Sequence, residues 1–410
     1  MRLLALLTLA HVVVDAYASA VPALLPFWQE RFGLTYALAG LIRAISDVTS
    51  SVAQPLVGIL TDRGRNPRWV AVACLLAALG VSATGLAPAF PLFLICVVSG
   101  GLGVSGFHPM GYKLVGLHSG RSQATATSWF LVGGNLGVAI GPLIGTGAVL
   151  TFGIPGTSAL LIPGVLFAGA MWWLIPAWSR ARERSAAEAA AERAAAAAQK
   201  EDPVRALARR RRVAGVLVLV LFVALRSTVT SALVAFVPLY YVRIAGLGEG
   251  VASQVLSGIL LAGAVSTLAG GYLADRVGRM RVLAASLLPV PFLLALFVSR
   301  EPGSAAGTAA LWAVSALITG TFSVTVVLAQ ELWHERRALA SGLVVGSAFG
   351  LGGLLVPLVG AVADRWGLPA AFQAIAVIPV IALGLLAALI AILAPALKRA
   401  APAGHNLAAN

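Results

Sequence analysis

His11 and Asp15 stand four residues apart inside the apolar run "MRLLALLTLAHVVVDAYASAVPALLP". That spacing puts both on one face of a helix, one turn apart. An imidazole beside a carboxyl withdrawn from water can take up and release a proton near neutral pH. Arg43 and Asp47 repeat the same spacing in the next apolar run. Farther along are His108 and Lys113 in "GVSGFHPMGYKLVG", Arg226 in "VALRSTVTSALV" and Glu331 in "VLAQELWHERR". Ionisable groups inside apolar spans are expensive, and each is a functional candidate for that reason.

Each also has a plain structural reading. Arg43 and Asp47 can neutralise each other, and His11 and Asp15 can form a structural hydrogen bond. His108 precedes Pro109 and can bond a carbonyl that the proline frees, while Lys113 and Glu331 lie close enough to a span end to snorkel. Arg226 has no acidic residue nearby in its own run. It needs Asp15, Asp47 or an anionic cargo as partner. The reading assigns proton coupling to Asp15, His11, Asp47 and Glu331, and cargo contacts to Arg226, Arg43, His108, Lys113, Tyr17 and Asn135. Basic groups at least match acidic ones in this set, which favours an anionic or zwitterionic cargo.

The elements that must hold these residues follow from composition. Of 410 residues 59% are hydrophobic and only 11% charged, with mean hydropathy +0.93, whereas soluble domains average about a quarter charged residues. This is the profile of an all-α polytopic membrane protein. A span needs about 20 apolar residues, and the chain offers twelve such runs: 3–27, 36–60, 69–87, 91–116, 122–150, 157–178, 213–242, 251–274, 281–299, 305–330, 338–362 and 369–396. The first run, with Ala18-Ser19-Ala20, has the outline of a cleavable export signal. Its polar pair and the pairing of the runs that follow argue that it stays as the first span.

The net charge of +14 does not point to nucleic acid. The basic residues gather in short connectors at Arg63, Arg65, Arg68, Arg276, Arg279, Arg281, Arg336 and Arg337, and in the polar stretch 179–212. Basic loops stay on the cytoplasmic side, so both termini are expected there. Trp28 and Trp366 are expected at the outer interface, with Trp69, Trp178 and Trp333 at the inner one. Cys74 and Cys96 lie in apolar runs and read as packing residues.

The two halves echo each other. "GILTDRGRNPR" recurs as "GYLADRVGRMR", and "GVAIGPLIG" as "GGLLVPLVG", each about half the chain later. The expected organisation is a six-helix bundle over 1–178, a cytoplasmic loop over 179–212, a second bundle over 213–397 and a tail over 398–410. A parallel duplication of this kind is a transporter architecture with its site at the interface of the repeats. In the paired loops Asp62, Arg63, Asp275 and Arg276 suit an ion-paired latch. Gly137, Gly141, Pro142 and Gly145 suit a close helix crossing with a bend, and hence gating.

Twelve spans in two halves, with "GYLADRVGRMR" and "GNLGVAIGPLIG", resemble the major facilitator superfamily. More narrowly, "AHVVVDAY", "GVSGFHPMGYKLVG", "SWFLVGGNLGVAIGPL" and "VLAQELWHERRALASGLVVGSAFGLGGLLVPLVG" resemble its fosmidomycin resistance protein family. The resemblance implies proton-antiport export of a small, often anionic compound, with His11, Asp15, His108, Pro109, Gln330 and Glu331 at marked family positions. Two positions depart from that pattern: Met110 stands where relatives are acidic, and a basic Lys113 lies nearby. A proton symporter importing a small organic solute is the alternative. An enzyme is not expected, because the chain has no HExxH, Gly-x-Ser-x-Gly or phosphate-binding Gly-x-x-x-x-Gly-Lys-Ser/Thr pattern. A sensor is disfavoured by the lack of a sizeable soluble domain. The expected partners are a small-molecule substrate, protons and the lipid bilayer, for a monomer in a bacterial-type inner membrane with no cofactor or metal.

Overall fold

The structure is a computed structural model that describes residues 2–52, 54, 66–118, 123–179, 209–333 and 337–400. Within these residues the chain is helical and contains no strand. In lipid this is the economical solution, because a helix satisfies its backbone hydrogen bonds internally. Helices α1 (Arg2–Ala23), α2 (Leu25–Phe32) and α3 (Tyr36–Asp47) come first, followed by α4 (Trp69–Ala83), α5 (Phe90–His118), α6 (Gln123–Phe152) and α7 (Leu161–Ser179). After the 179–212 stretch come α8 (Arg209–Arg243), α9 (Glu249–Val277), α10 (Arg279–Leu287), α11 (Val290–Ser299), α12 (Ala305–Thr319) and α13 (Phe322–Leu332). The chain closes with α14 (Arg337–Gly346), α15 (Gly352–Leu354), α16 (Val356–Trp366), α17 (Leu368–Ile375) and α18 (Ile378–Ala400).

Among the described residues, ten helical runs are long and apolar enough to cross a membrane. Of the other two expected spans, 36–60 is described only in part and 338–362 is divided into shorter helices. A π-helical turn at Val48–Val52 follows α3, whose span then passes beyond the described residues, and another at Ser347–Leu351 separates α14 from α15. Hydropathy does not register such turns, since they change hydrogen-bond register and not polarity.

Caps account for several of the ends. Gly33, at φ 61°, closes α2 in the left-handed region that a side chain disfavours. Thr35 accepts from the Leu38 N–H to start α3, and Ser304 accepts from Gly307 to start α12. Arg31 donates to the carbonyls of Gly85 and Ala87, both at 2.8 Å, and so satisfies the open end beyond α4.

By packing, the described helices fall into two compact units, Met1–Gln199 with Val234–Leu261, and Lys200–Leu233 with Ala262–Asn410. In the first, glycine permits close crossings. A Cβ at Gly137 would run into the Val12 backbone, one at Gly141 into Ala16 and Ser19, and one at Gly145 would come 2.8 Å from the Ala20 Cβ. Gly80 and Gly103 likewise let α4 and α5 meet at backbone contact. The second unit is built on an apolar cluster that includes Leu219, Phe222, Leu283, Leu328, Leu386 and Leu389. There Gly352 lies against Ser227, at the same sequence separation as Gly137 and Val12. The echo between the halves therefore extends to a packing contact.

Trp28 departs from the interfacial expectation. It is fully buried and its ring lies 5.1 Å from that of Phe93. Trp69 and Trp366 are exposed. Cys74 and Cys96 are both free.

Replacing Gly137 with Leu should lower the thermal midpoint of the purified protein in detergent, with an overpacking cost of about 1–3 kcal/mol. Gly147→Leu, where a Cβ meets nothing within 4 Å, should leave the midpoint unchanged.

Candidate functional site: a buried His–Asp–His cluster

The first unit gathers three of the expected residues. His11 Nε2 lies 3.1 Å from Asp15 Oδ2 along α1, and His108 Nε2 of α5 reaches Asp15 Oδ1 at 3.0 Å. The far nitrogen of each ring is also engaged. His11 Nδ1 donates to the Phe130 carbonyl at 2.7 Å, and His108 Nδ1 donates to the Val104 carbonyl at 2.9 Å. The sequence reading had His108 bonding a carbonyl freed by the proline. Pro109 withholds its N–H from Ser105, so Val104 is a different acceptor.

Aromatic rings enclose the cluster. Phe130 of α6 stacks on His11 with centroids 4.0 Å apart, Phe107 lies at 5.7 Å, and Tyr112 meets His11 edge-on at 6.5 Å. Asp15 and His11 are buried. Gly134 explains how a charged cluster fits beneath α6: a Cβ there would stand 2.6 Å from His11 Cε1 and 2.7 Å from Asp15 Oδ2. The three ligand-type atoms lie within 4.8 Å of one another, close enough to share a small cation. The hydrogen bonds between them engage the same lone pairs.

Arg43 and Asp47 form the i,i+4 pair that the spacing predicts, at 2.7 Å, with Asp47 buried. Tyr17 is buried and donates to the Leu160 carbonyl at 2.6 Å. Lys113 is half-buried on α5, and Asn135 is exposed on α6.

In the second unit Arg226 is fully enclosed. One terminal nitrogen donates to the Ile318 carbonyl at 2.8 Å and also to the Thr321 hydroxyl, while Nε makes no hydrogen bond. Both acceptors flank the break between α12 and α13, where a helix end leaves carbonyls open. Among the described residues no carboxylate pairs with Arg226. Asp15 and Asp47, offered as partners by the sequence, are engaged within the first unit.

Glu331, expected in the proton path, forms an ion pair with Arg279 at the start of α10. Gln330 is half-buried on α13. Asp275 and Arg276 are exposed, and Arg276 lies over the Tyr272 ring at 4.3 Å. No ion pair joins either one to a described residue. Asp62 and Arg63 lie outside the described residues. Pro142 is buried on α6 between Gly141 and Gly145.

Sequence reasoning passed over Phe130, Tyr112, Gly134, Ile318 and Thr321. The adjacent glycines in "SWFLVGGN" are the one signal that could have flagged Gly134.

The chain matches the model of the Major Facilitator Superfamily over residues 7–288 and 227–408. It is 33% identical to the uncharacterized MFS-type transporter YfnC of Bacillus subtilis (strain 168), covering 95% of this chain and 92% of that one. It is 29% identical to the fosmidomycin resistance protein of Escherichia coli (strain K12), covering 92% and 90%. Among solved structures it is similar to a bacterial homologue of the human lysosomal transporter Spinster in an inward-facing, occupied conformation. That match has TM-score 0.77, 15% identity and coverage of 96% and 97%.

The two ion pairs should differ sharply in worth. Arg43→Ala removes the ion-pair partner of a buried carboxylate and should destabilise the protein by about 3–5 kcal/mol, and the added change Asp47→Asn should recover part of that. Arg279→Gln, at a pair about one-third exposed, should cost about 1 kcal/mol or less. Thermal unfolding of the three variants beside the unaltered protein measures both.

Proposed function

Because the chain belongs to the Major Facilitator Superfamily, and is thus a multi-pass membrane transporter, we propose that it exports a small anionic or zwitterionic compound in exchange for protons. The observation that carries this reading is the buried His11–Asp15–His108 cluster. It joins a carboxylate to two imidazoles, with Asp15 and His11 withdrawn from water. Asp15 is the proton carrier, and His11 and His108 set its occupancy. Arg226 is the anion contact, since its charge is permanent, enclosed and, among the described residues, met by neutral acceptors.

The other assignments follow from this. Arg43–Asp47 holds the second span in place, with Asp47 able to enter the proton path when the pair opens. Lys113, Tyr17 and Asn135 add polar contacts for cargo. The Arg279–Glu331 pair and the loop residues Asp62, Arg63, Asp275 and Arg276 act as the latch that opens and closes. The glycines of α6 with Pro142 form the crossing on which it turns. The working bodies are the six-helix bundles 1–178 and 213–397, in a bacterial inner membrane with both termini cytoplasmic. The relative named for fosmidomycin resistance supports a phosphonate-like cargo and the export direction.

In proteoliposomes at equal pH, adding fosmidomycin outside should acidify the external medium, since cargo entry expels protons. Alkalinisation would mark symport and overturn the antiport reading. Asp15→Asn should abolish the proton movement. Arg226→Ala should raise the half-saturating cargo concentration roughly tenfold to a hundredfold, the worth of a charge-assisted hydrogen bond, with Arg226→Lys between the two. Expression in a pump-deficient bacterium should raise tolerance to the same compound, and neither substitution should do so.

A further inference from the structure

The hydrogen bonds around Asp15 fix more than geometry. A backbone carbonyl can only accept, so the bonds to Phe130 and Val104 place a hydrogen on Nδ1 of His11 and on Nδ1 of His108. Neither ring can then use its other tautomer. Each Nε2 faces a carboxylate oxygen, at 3.1 Å and 3.0 Å, and each of those gaps needs its own hydrogen. Without one, a nitrogen lone pair would point at an oxygen lone pair. From this we infer that the cluster in the observed geometry stores two exchangeable protons and carries a net charge of +1.

That charge does not depend on where each proton sits. Two imidazolium rings on a carboxylate sum to +1, and so do one imidazolium, one neutral ring and a protonated carboxyl. Losing one proton takes the cluster to neutrality and leaves one facing pair without its bond. The two protons therefore come off in two steps that belong to the cluster and not to any single residue. Burial opposes a charge here, and one contact offsets part of that cost. Phe130 stacks on His11 at 4.0 Å, within reach of the attraction between a cation and an aromatic face.

The groups around the cluster bear on the count. From α5, Tyr112 acts on Asp15, and the cationic Lys113 is half-buried next to it on the same helix. α6 presents Phe130 and Gly134, neither ionisable. From the side of α4 and α7, Tyr17 gives its hydroxyl to Leu160, and Cys74 lies beside Gly164. α3 brings the Arg43–Asp47 ion pair to the same unit.

This inference rests on the proton-carrier reading only for its transport consequence, a capacity of two protons per cycle. The inventory itself is tested without cargo or gradient. The full chain, labelled with ¹⁵N-histidine in lipid nanodiscs, has five histidines, and the signals lost in His11→Asn and His108→Asn identify the two rings. Nitrogen shifts report each ring as charged or neutral, and infrared absorption lost in Asp15→Asn reports a protonated carboxyl. At pH 7 the number of charged rings plus protonated carboxyls should be two, with any neutral ring carrying its hydrogen on Nδ1. In Asp15→Asn the amide donates to one ring, so no more than one should remain charged.

A sum of one or zero, or a neutral ring protonated on Nε2, would overturn the inference. A sum of two with no proton movement in proteoliposomes would sink the transport reading and leave the inventory standing. A sum of one with intact proton-driven flux would do the reverse.

Discussion

The structure depends first on how closely α1 and α6 approach. Thr8, Val12, Ala16 and Ala20 on α1 meet Gly133, Gly137, Gly141 and Gly145 on α6, at spacings where a Cβ would collide with the partner. Between helices in lipid there is little hydrophobic drive, and contact of small residues supplies the packing instead. The contact also creates the site. With α6 this near, the Phe130 carbonyl reaches His11, and Gly134 leaves the volume that His11 and Asp15 occupy. A larger residue along this ridge would move apart the groups that satisfy the buried charge.

The echo between the halves gives this contact a counterpart with different chemistry. Gly352 lies against Ser227 as Gly137 lies against Val12, so Arg226 holds the place in the second half that His11 holds in the first. The first half puts an exchangeable charge there, backed by Asp15 and His108. The second puts a permanent one, held by Ile318 and Thr321. Duplication kept the packing while the two copies came to differ in how readily their charge can change.

What the sequence revealed follows from which interactions are local. The fold class was legible because apolar runs, the Gly-x-x-x-Gly spacing of α6 and the repeated loop are all patterns along the chain. His11 with Asp15 and Arg43 with Asp47 were legible because i,i+4 neighbours share a helix face. The link from His108 to Asp15 was not, because it joins helices and leaves no periodic trace. The same holds for Arg279 with Glu331, where the sequence suggested snorkelling or a place in the proton path and gave no sign of the partner. An interfacial Trp28 was also suggested, and partner packing decides against it. The π-helical turns in the second and eleventh spans were not legible, because a shift in hydrogen-bond register leaves polarity unchanged.

The carboxylate of Asp15 turns one oxygen to its own helix and the other to α5. A proton in one of these gaps can thus be redistributed toward the other through a single carboxyl group, without any helix having to move. Such transfers belong to the fast end of molecular motion, while rearrangements of whole helices take microseconds to milliseconds. The protons can therefore settle among the three groups throughout each slower step. The tempo of a working cycle then belongs to the backbone and not to the chemistry it encloses.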